Sequence, residues 1–219
     1  MKKYELTAEF IEQWGKKLFR IKALISFGSV EAGELGGYVE KEDNLAQDGD
    51  AWVYGNAWVY GNARVCDDAW VYGDAEVYGD ARVCGNAEVY GNAEVYGNAR
   101  VYGDAEVYGD AWVYGNAEVY GNARVCGDAK VCGDADYLLI GRIGSRFSFT
   151  TFFKNKDKGI TVSCGCFLGT IAEFRAKVSD THGNNKHAKI YNLAADMAEL
   201  QILGEEHFEN LNTNKSEPF

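Results

Sequence analysis

The chain contains 219 residues, of which 47% are hydrophobic, and it carries a formal net charge of −11. This composition is typical of a globular protein, and no apolar run approaches the eighteen or more residues of a membrane-spanning helix. The acidic balance disfavours direct binding to nucleic acid, whose phosphates attract basic surfaces. The start of the chain lacks the apolar stretch of a signal peptide, and the six cysteines show no disulfide-scaffold spacing, so we expect a cytoplasmic protein.

The first fifty residues, 1–50, are predicted to cap a repeat array. A short helix is predicted from Thr7 to Trp14, followed by a strand from Leu18 to Ile25 with alternating apolar residues. Val39 and Leu45 keep a six-residue spacing to the array and are interpreted as a degenerate first coil. A solenoid needs such a cap because its terminal coil otherwise exposes an apolar core and unpaired strand edges.

Residues 51–136 hold fourteen consecutive copies of the unit Ala-x-Val-(Tyr or Cys)-Gly-(Asn or Asp), and only Asp67 replaces the glycine. Because Ala and Val lie two residues apart, both point to one face of an extended strand, while x and Tyr point to the other. Gly followed by Asn or Asp tolerates positive φ and predicts a sharp corner. Three such sides close a triangular coil of eighteen residues, so the array predicts a mainly β protein built on a parallel β-helix of four to five coils.

An α-helix over the array is excluded by the recurrent glycine, which costs roughly 1 kcal/mol at each position. A meander of antiparallel hairpins stays open as an alternative, although its strands would be only four residues long. Read as Val-Tyr-Gly-Asn-Ala-Arg, the unit resembles the hexapeptide repeat of left-handed parallel β-helices. That resemblance implies the left-handed winding, since ordinary parallel crossovers are right-handed.

With eighteen residues per coil, the outward residues are predicted to stack in columns along the solenoid. The columns are Tyr54, Tyr72, Tyr90 and Tyr108; Tyr60, Tyr78, Tyr96 and Tyr114; and Arg64, Arg82 and Arg100 beside Cys66, Cys84, Tyr102 and Tyr120. In one interpretation, Arg64, Arg82, Arg100 and Tyr102 bind a planar or anionic ligand. In the other, tyrosine stacks on a flat face for structural reasons, or the aromatic faces associate into an oligomer.

Acidic and tryptophan side chains also occupy outward slots of the array. The array has a net charge of −9, and about half of its acids lie at corners, where Asp alternates with Asn. Turn chemistry explains these acids, and a partner-facing acidic surface is the alternative. Trp52, Trp58, Trp70 and Trp112 are predicted to pack against the N-terminal cap or a partner.

Residues 137–209 are predicted to form a small α+β module, and residues 210–219 a loose polar tail. Strands are predicted from Phe147 to Phe153 and from Gly159 to Ser163. Thr170 and Glu173 form a capping box for a helix that runs to about Ser179. A second helix is predicted from about Lys186 to Leu203, and its apolar side is formed by Ile190, Leu193, Ala194, Met197 and Leu200.

The module contains a candidate anion-binding segment. Arg142, Ser145 and Arg146 accompany Gly141 and Gly144, so that backbone N–H groups and cations can face an anion. We expect the cleft at the junction of solenoid and module.

Four residues of the module are ligands of the kind that bind zinc: Cys164, Cys166, His182 and His187. Their spacing matches no strong zinc signature, so we expect no metal, with zinc as an alternative. The cysteines otherwise end a buried strand, and a Cys–His nucleophile pair is a further alternative.

The segment Gly33–Glu40, then Asn44-Leu45 and the array, resembles a bacterial and prophage-borne family of hexapeptide-repeat proteins. The segments Ile140–Arg146, Val162–Phe167 and His182–Lys186 are similar to a module that accompanies such arrays. The resemblance covers nearly the whole chain and implies a left-handed parallel β-helix. Members of that family are often named transferases from their fold alone.

Acyltransferases of this fold use a histidine base in a groove between subunits, together with an acyl-CoA donor. The array contains no histidine, and no long loop interrupts its coils. We therefore expect a non-enzymatic scaffold or binding protein without a cofactor, which forms a homo-oligomer and either binds a host protein or sequesters a small anionic ligand. The alternative is an acyl-CoA-dependent acyltransferase that uses His182.

Overall fold

A computed structural model describes residues 2–205, without the side chain of Asp134. The chain begins with strands β1 (Tyr4–Gln13), β2 (Lys16–Ala23) and β3 (Leu35–Val39), followed by a 3₁₀ turn at Glu42–Asn44. β1 pairs with β2, and β2 with β3, both antiparallel.

The helix predicted from Thr7 to Trp14 is wrong, because this segment belongs to β1. Trp14 and Gly15 lie between β1 and β2, and both have positive φ. Positive φ at both residues of a two-residue loop is the geometry that lets two antiparallel strands meet in a hairpin. The strand predicted from Leu18 to Ile25 overlaps β2 and is confirmed.

Fourteen two-residue strands follow, one in each repeat unit. They are β4 (Trp52–Val53), β5 (Trp58–Val59), β6 (Arg64–Val65), β7 (Trp70–Val71), β8 (Glu76–Val77), β9 (Arg82–Val83), β10 (Glu88–Val89), β11 (Glu94–Val95), β12 (Arg100–Val101), β13 (Glu106–Val107), β14 (Trp112–Val113), β15 (Glu118–Val119), β16 (Arg124–Val125) and β17 (Lys130–Val131). They form three parallel sheets in the orders β3-β5-β8-β11-β14-β17, β4-β7-β10-β13-β16 and β6-β9-β12-β15. Trp52 pairs with Trp70 and Arg64 with Arg82, which confirms a coil of eighteen residues.

This pairing confirms the parallel β-solenoid and excludes the hairpin meander. In all fourteen units the interior Ala and Val are at most 1% exposed, as predicted. The corner glycines from Gly55 to Gly127 have φ between +63° and +74°. The left-handed winding stays a prediction from the resemblance.

The corner acids take part in hydrogen bonds between coils. The amide of Asn62 donates to Asp80 in the next coil at 3.0 Å, and Asn92 donates to Asp110 at 2.9 Å. Where Asn and Asp alternate along a column, the Asn amide therefore donates to the Asp carboxylate of the next coil. This geometry supports the interpretation of these acids as turn chemistry.

The degenerate first coil is present but differs in length from the others. Val39 pairs with Val59 and Leu45 bridges to Val65, so both align with the Val slot, twenty positions upstream. The regular coils have eighteen residues, so the first coil holds two more. By the six-residue spacing to Ala51, Val39 and Leu45 would fall in the Ala slot, whereas the structure aligns them with the Val slot.

The N-terminal cap closes the open end of the solenoid around Trp52, which is fully buried. Tyr4 and Phe27 contact its ring edge-to-face, with ring centroids 6.2 and 5.4 Å away. The buried Lys3 ammonium donates to three backbone carbonyls at the start of the array, including that of Ala51 at 2.9 Å. The prediction that tryptophan packs against the cap is confirmed for Trp52, and Trp58 contacts Trp14 at 5.7 Å.

The C-terminal module follows a second 3₁₀ turn, Asp134–Asp136. Its antiparallel sheet consists of β18 (Tyr137–Ile143), β19 (Ser148–Lys154), β20 (Ile160–Cys164) and β21 (Phe167–Thr170), and it is followed by α1 (Ile171–His182) and α2 (Lys186–Leu203). Phe153 joins the solenoid core, whereas Phe152, on the opposite face of β19, packs with the helices. The sheet therefore lies between the last coils and the helix pair.

The predicted α+β module is confirmed. β19 and β20 correspond to the two predicted strands, and β18 and β21 are additional. The capping box is present: Thr170 accepts from the Glu173 backbone N–H, and Glu173 accepts from that of Thr170. Residues 206–209 and the predicted tail, 210–219, lie outside the described residues. Neither helix in the described part of the chain is long and apolar enough to cross a membrane.

The predicted apolar side of α2 is not its buried side. Leu193 and Met197 are 63% and 58% exposed, and Ile190 and Leu200 are also exposed. The helix instead buries small or polar-tipped residues: Ala188, Tyr191, Ala194, Ala195, Ala198, Glu199 and Ile202. Alanines allow α2 to approach the sheet and α1 closely, which leaves its long apolar side chains outside.

Candidate functional site

A pocket of about 190 Å³ lies at one end of the module, where two hairpin turns meet α1. The loop between β18 and β19 contributes Ser145 and Arg146, and the turn between β20 and β21 contributes Cys166. Helix α1 contributes Lys177 and His182. Its lining residues are Ser145, Arg146, Ser148, Cys164, Gly165, Cys166, Phe167, Phe174, Lys177, Val178, Thr181, His182 and Tyr191.

Aromatic residues form the apolar wall of this pocket. The ring of Phe174 on α1 contacts Phe167 and Tyr191, each with a centroid distance of 5.6 Å. Phe174 is 3% exposed and Tyr191 is 6% exposed, so their positions are set by the module core. The pocket therefore presents a fixed aromatic surface beside its polar rim.

Tyr191 also positions the loop that carries Ser145 and Arg146. Gly144 in this loop has a φ of +72°, and a Cβ there would overlap with the Tyr191 hydroxyl. Burial raises the pKa of the Tyr191 phenol, and the neighbouring Cys164 thiol adds to the effect. Arg146 and a hydrogen bond from the Ser145 backbone act in the opposite direction on the same pKa. The phenol thus stays neutral and holds the loop close to α2.

The pocket is cationic although the protein is acidic. Arg146 and Lys177 both line it, and none of the lining residues is Asp or Glu. Within residues 2–205, neither cation forms a salt bridge. A Cβ on Gly165 would lie 3.4 Å from Arg146 Nη1, so the absence of a side chain there leaves room for the guanidinium.

His182, the candidate base of the enzymatic alternative, lies at the C-terminal end of α1 and lines the same pocket. Its ring stacks on Tyr191, with centroids 5.7 Å apart and an interplanar angle of 25°. The ring of His187, which like Tyr191 belongs to α2, has its centroid 5.8 Å from that of His182. His182 is thus held by aromatic contacts in a pocket that Cys164 and Ser145 also line.

The zinc hypothesis receives no support from this arrangement. Cys164, Cys166 and His182 line the pocket, and His187 lies next to His182. Within residues 2–205, the donor atoms that do lie close enough together to share one ion belong to Cys66, Asp67 and Cys84 in the solenoid. The expectation of no metal, with zinc at Cys164, Cys166, His182 and His187 as the alternative, stays a prediction.

The other predicted binding residues lie outside this pocket. Arg142 is exposed on β18 and is not a lining residue. Arg64, Arg82 and Arg100 form the predicted column, in register on one sheet of the solenoid. Arg100 donates to Glu118 at 3.2 Å. The arginine column and the Ser145–Arg146 loop are therefore separate candidates.

Two clefts do lie at the junction of solenoid and module, as expected, but neither contains Ser145 or Arg146. One, of about 440 Å³, is lined by Tyr102, Tyr120 and Tyr137 together with Glu118. The other, of about 280 Å³, contains Asp104 and Glu106. Arg124 in that cleft pairs with Glu106 at 2.6 Å. The expected place of the anion-binding cleft was therefore wrong, because the Ser145 loop folds back on α2.

The tyrosine ladders are confirmed as stacks of nearly parallel rings. Centroids along Tyr60, Tyr78 and Tyr96 are 5.0 and 4.8 Å apart. The hydroxyl of Tyr78 donates to Glu94 at 2.9 Å, and that of Tyr72 donates to Glu88 at 2.7 Å. These tyrosines are therefore used within the solenoid, which favours the structural interpretation.

Two of the six cysteines are joined, which corrects the prediction of unpaired cysteines in the array. Cys66 and Cys84 form a disulfide across two neighbouring coils, with their Cα atoms 4.8 Å apart. Their separation of 18 residues is one coil, so the repeat itself brings them together. Within the described residues, Cys126, Cys132, Cys164 and Cys166 are free.

Sequence reasoning missed Lys177, Phe174 and Tyr191 as pocket residues. Phe174, Lys177 and Thr181 follow a helical spacing of three and four, which predicts one face of α1. That signal was available, but the side of α1 that faces the Ser145 loop depends on the packing of α2.

Comparison with known proteins bears on the solenoid alone. A family model described as the YdcK beta solenoid repeat matches residues 57–73, 93–109 and 99–121, all within the array. A search of curated proteins found no match to the chain. Over these segments the chain is similar to a recognised beta-solenoid repeat, in agreement with its parallel sheets.

Proposed function

We propose that this protein is a non-enzymatic binding protein that holds a small aromatic or otherwise apolar anion in the pocket of its C-terminal module. The observation that carries the proposal is that Arg146 and Lys177 line a pocket whose other lining residues include no Asp or Glu and whose wall holds Phe174 and Tyr191. Cations that face an anion in a partly enclosed site form charge-assisted hydrogen bonds, which are about twice as strong as neutral ones.

The size and polarity of the pocket define the ligand class. A volume of about 190 Å³ is below the range of roughly 300–1,000 Å³ that drug-sized ligands occupy. Its anionic group would lie between Arg146 and Lys177, and its apolar part against Phe174. The solenoid would act as a rigid scaffold that carries this module.

The proposal is tested by calorimetric titration of the full chain with phenyl phosphate, which combines an anion with one ring. Arg146→Gln is expected to weaken binding by about 10–150-fold, because a hydrogen bond to a charged group contributes about 1.5–3 kcal/mol. Arg142→Gln is the matched control, since this arginine is exposed and lies outside the pocket. Equal effects of both variants, or an absence of phenyl phosphate binding at millimolar concentration, would refute the proposal.

The expected homo-oligomer is supported by the exposed side of α2. Ile190, Leu193, Met197 and Leu200 recur with spacings of three and four, which is the a/d pattern of a coiled-coil seam. In an antiparallel pair of α2 helices, Leu193 would oppose Met197 of the second copy and Ile190 would oppose Leu200. The pattern is therefore self-complementary about a two-fold axis.

The enzymatic alternative is acyl transfer with His182 as base, and its position in the pocket beside Cys164 and Ser145 is the observation that favours it. It predicts release of free coenzyme A from acetyl-CoA by the wild type and loss of that release in His182→Ala. The cytoplasmic location, the origin in a prophage and an action on a host protein belong to this proposal. The prophage origin and the action on a host protein rest on the family resemblance described above, whereas the cytoplasmic location is the expectation drawn from the sequence itself.

A further inference from the structure

The unit at residues 63–68 combines the less common residue of the Tyr/Cys slot with the one departure from the corner glycine. Cys66 replaces tyrosine, and Asp67 replaces the glycine that the other thirteen units keep. One coil further on, Cys84 again replaces tyrosine. The regular stacking of coils therefore brings three exceptional side chains to one point on the solenoid surface.

Asp67 is held in a conformation that glycine usually adopts, with φ at +59°. Its carboxylate Oδ2 accepts a hydrogen bond from the Gly85 backbone N–H at 3.0 Å and lies 3.9 Å from Cys66 Sγ. The bond to Gly85 turns the carboxylate along the axis, toward the coil that carries Cys84. The sulfurs and a carboxylate oxygen all lie within 4.8 Å of one another.

We propose that reduction of the Cys66–Cys84 disulfide opens a binding site for one thiophilic divalent cation, such as Zn²⁺, with Cys66, Cys84 and Asp67 as ligands. A dithiol reductant supplies the two electrons and two protons: each cysteine sulfur becomes a thiol, and the two sulfurs of the reductant join as a disulfide. On metal binding, the two cysteine thiols release their protons to solvent. Two thiolates, one carboxylate and a water complete a four-coordinate site.

The spacing of the coils fits such a site. Two thiolates bound tetrahedrally to one zinc ion at about 2.3 Å lie about 3.8 Å apart. The Cα atoms of Cys66 and Cys84 are 4.8 Å apart on neighbouring parallel strands, so side-chain rotation can supply that sulfur separation. The site needs no change of the solenoid backbone.

The local charges also fit. Arg64 and Arg82 lie two residues before the cysteines, on the same outward side of their strands. Two thiolates and a carboxylate carry three negative charges, so a divalent cation leaves only one to be balanced by these arginines.

The experiment uses the full chain, reduced with a dithiol and separated from it without oxygen, and titrated with Cd²⁺ while the sulfur-to-cadmium charge-transfer absorbance is recorded. Cys66→Ser with Cys84→Ser should abolish that absorbance. The matched control, Cys132→Ser, removes an exposed free cysteine from the same outward slot of another repeat unit and should retain it. Bound Cd²⁺ should also protect Cys66 and Cys84 from alkylation, as read by peptide mass spectrometry.

Asp67→Asn tests the third ligand, because asparagine tolerates positive φ and removes only the charge. It should weaken Zn²⁺ binding at least about tenfold, since loss of even a group behind the direct ligands commonly costs 10–100-fold. The disulfide form should bind neither metal at this site. Equal Cd²⁺ absorbance in the Cys66–Cys84 double variant and the control, or in the reduced and oxidised protein, would overturn the proposal.

Discussion

The corner glycines provide a sharp test of how the coils stack. In Gly79→Ala the new Cβ would lie 2.9 Å from the Gly97 backbone nitrogen and 3.1 Å from its oxygen. Gly127→Ala is the matched control, because its φ of +64° is similar to the +71° of Gly79 while nothing lies within 4 Å of its Cβ. Both variants pay for a side chain at positive φ, but only Gly79→Ala also forces two coils apart.

The expected magnitudes differ accordingly. A side chain at positive φ destabilises the fold by about 1–2 kcal/mol. The lower entropy of the unfolded alanine chain offsets about 0.4–1 kcal/mol of this, which leaves about 1 kcal/mol of destabilisation for Gly127→Ala. The close contact at Gly79 adds about 1–3 kcal/mol, the cost of forcing extra atoms into a packed region.

At about 2–4 °C per kcal/mol for a chain of this size, the melting temperature should fall by about 2–4 °C in Gly127→Ala and about 4–16 °C in Gly79→Ala. Thermal unfolding followed by far-ultraviolet circular dichroism measures both. Equal decreases would show that the stacked corners have room for a methyl group, and would refute the reasoning.

Two further predictions concern the tyrosine columns and α2. Burial raises the pKa of Tyr90 to about 12, so the folded protein keeps a phenol proton that the unfolded chain releases near pH 10. The contribution of Tyr90 to the free energy of unfolding is complete below about pH 10 and is lost as the pH rises through about 12. The urea midpoint of unfolding should therefore fall steadily above about pH 10, and a constant midpoint would contradict this. Leu193→Lys with Met197→Lys should convert the proposed oligomer to monomer in native mass spectrometry, whereas Lys189→Ala, on the same helix, should not. An unchanged mass in the double variant would exclude the α2 seam.

The solenoid could be predicted almost completely because each slot of its unit has one physical role. A residue that must be small and inside, such as Ala75, recurs every six positions, and so does the valine two residues later. Errors in reading one unit are corrected by the other thirteen. The N-terminal cap has no such redundancy, and there the turn at Trp14 and Gly15 decided between helix and hairpin.

The module shows why the buried side of a helix is harder to predict than the helix itself. Thr170 was predicted as the cap of α1 and acts as one in the structure, and Asn185 caps α2 there. The larger apolar residues of α2 predicted the wrong side, because close helix packing uses alanine. Large side chains such as Leu193 were left for the surface, where only a partner would bury them.

The candidate site could be predicted by residue type but not as a set. Ser145 and Arg146 were chosen for anion binding and His182 as a catalytic base, and the structure places all three around one pocket. Their meeting depends on Tyr191, which holds the loop of Ser145 against α2, and no local pattern indicates that contact. The sequence pattern therefore revealed the chemistry of these residues, but not the long-range packing that brings them together.

The positions that depart from the repeat carry the most specific contacts of the solenoid. In a repeat, the residue of each slot stabilises the stacking of every coil. A different residue in a slot therefore destabilises the stacking locally unless another interaction compensates for it. Trp52 departs from the polar x slot and becomes the centre of the cap contact. Asp67 gives up the conformational freedom of glycine and gains a bond to the next coil, beside two cysteines that the eighteen-residue period aligns. By the same logic, a cation site at Cys66, Asp67 and Cys84 explains why the one replacement of the corner glycine lies beside two aligned cysteines.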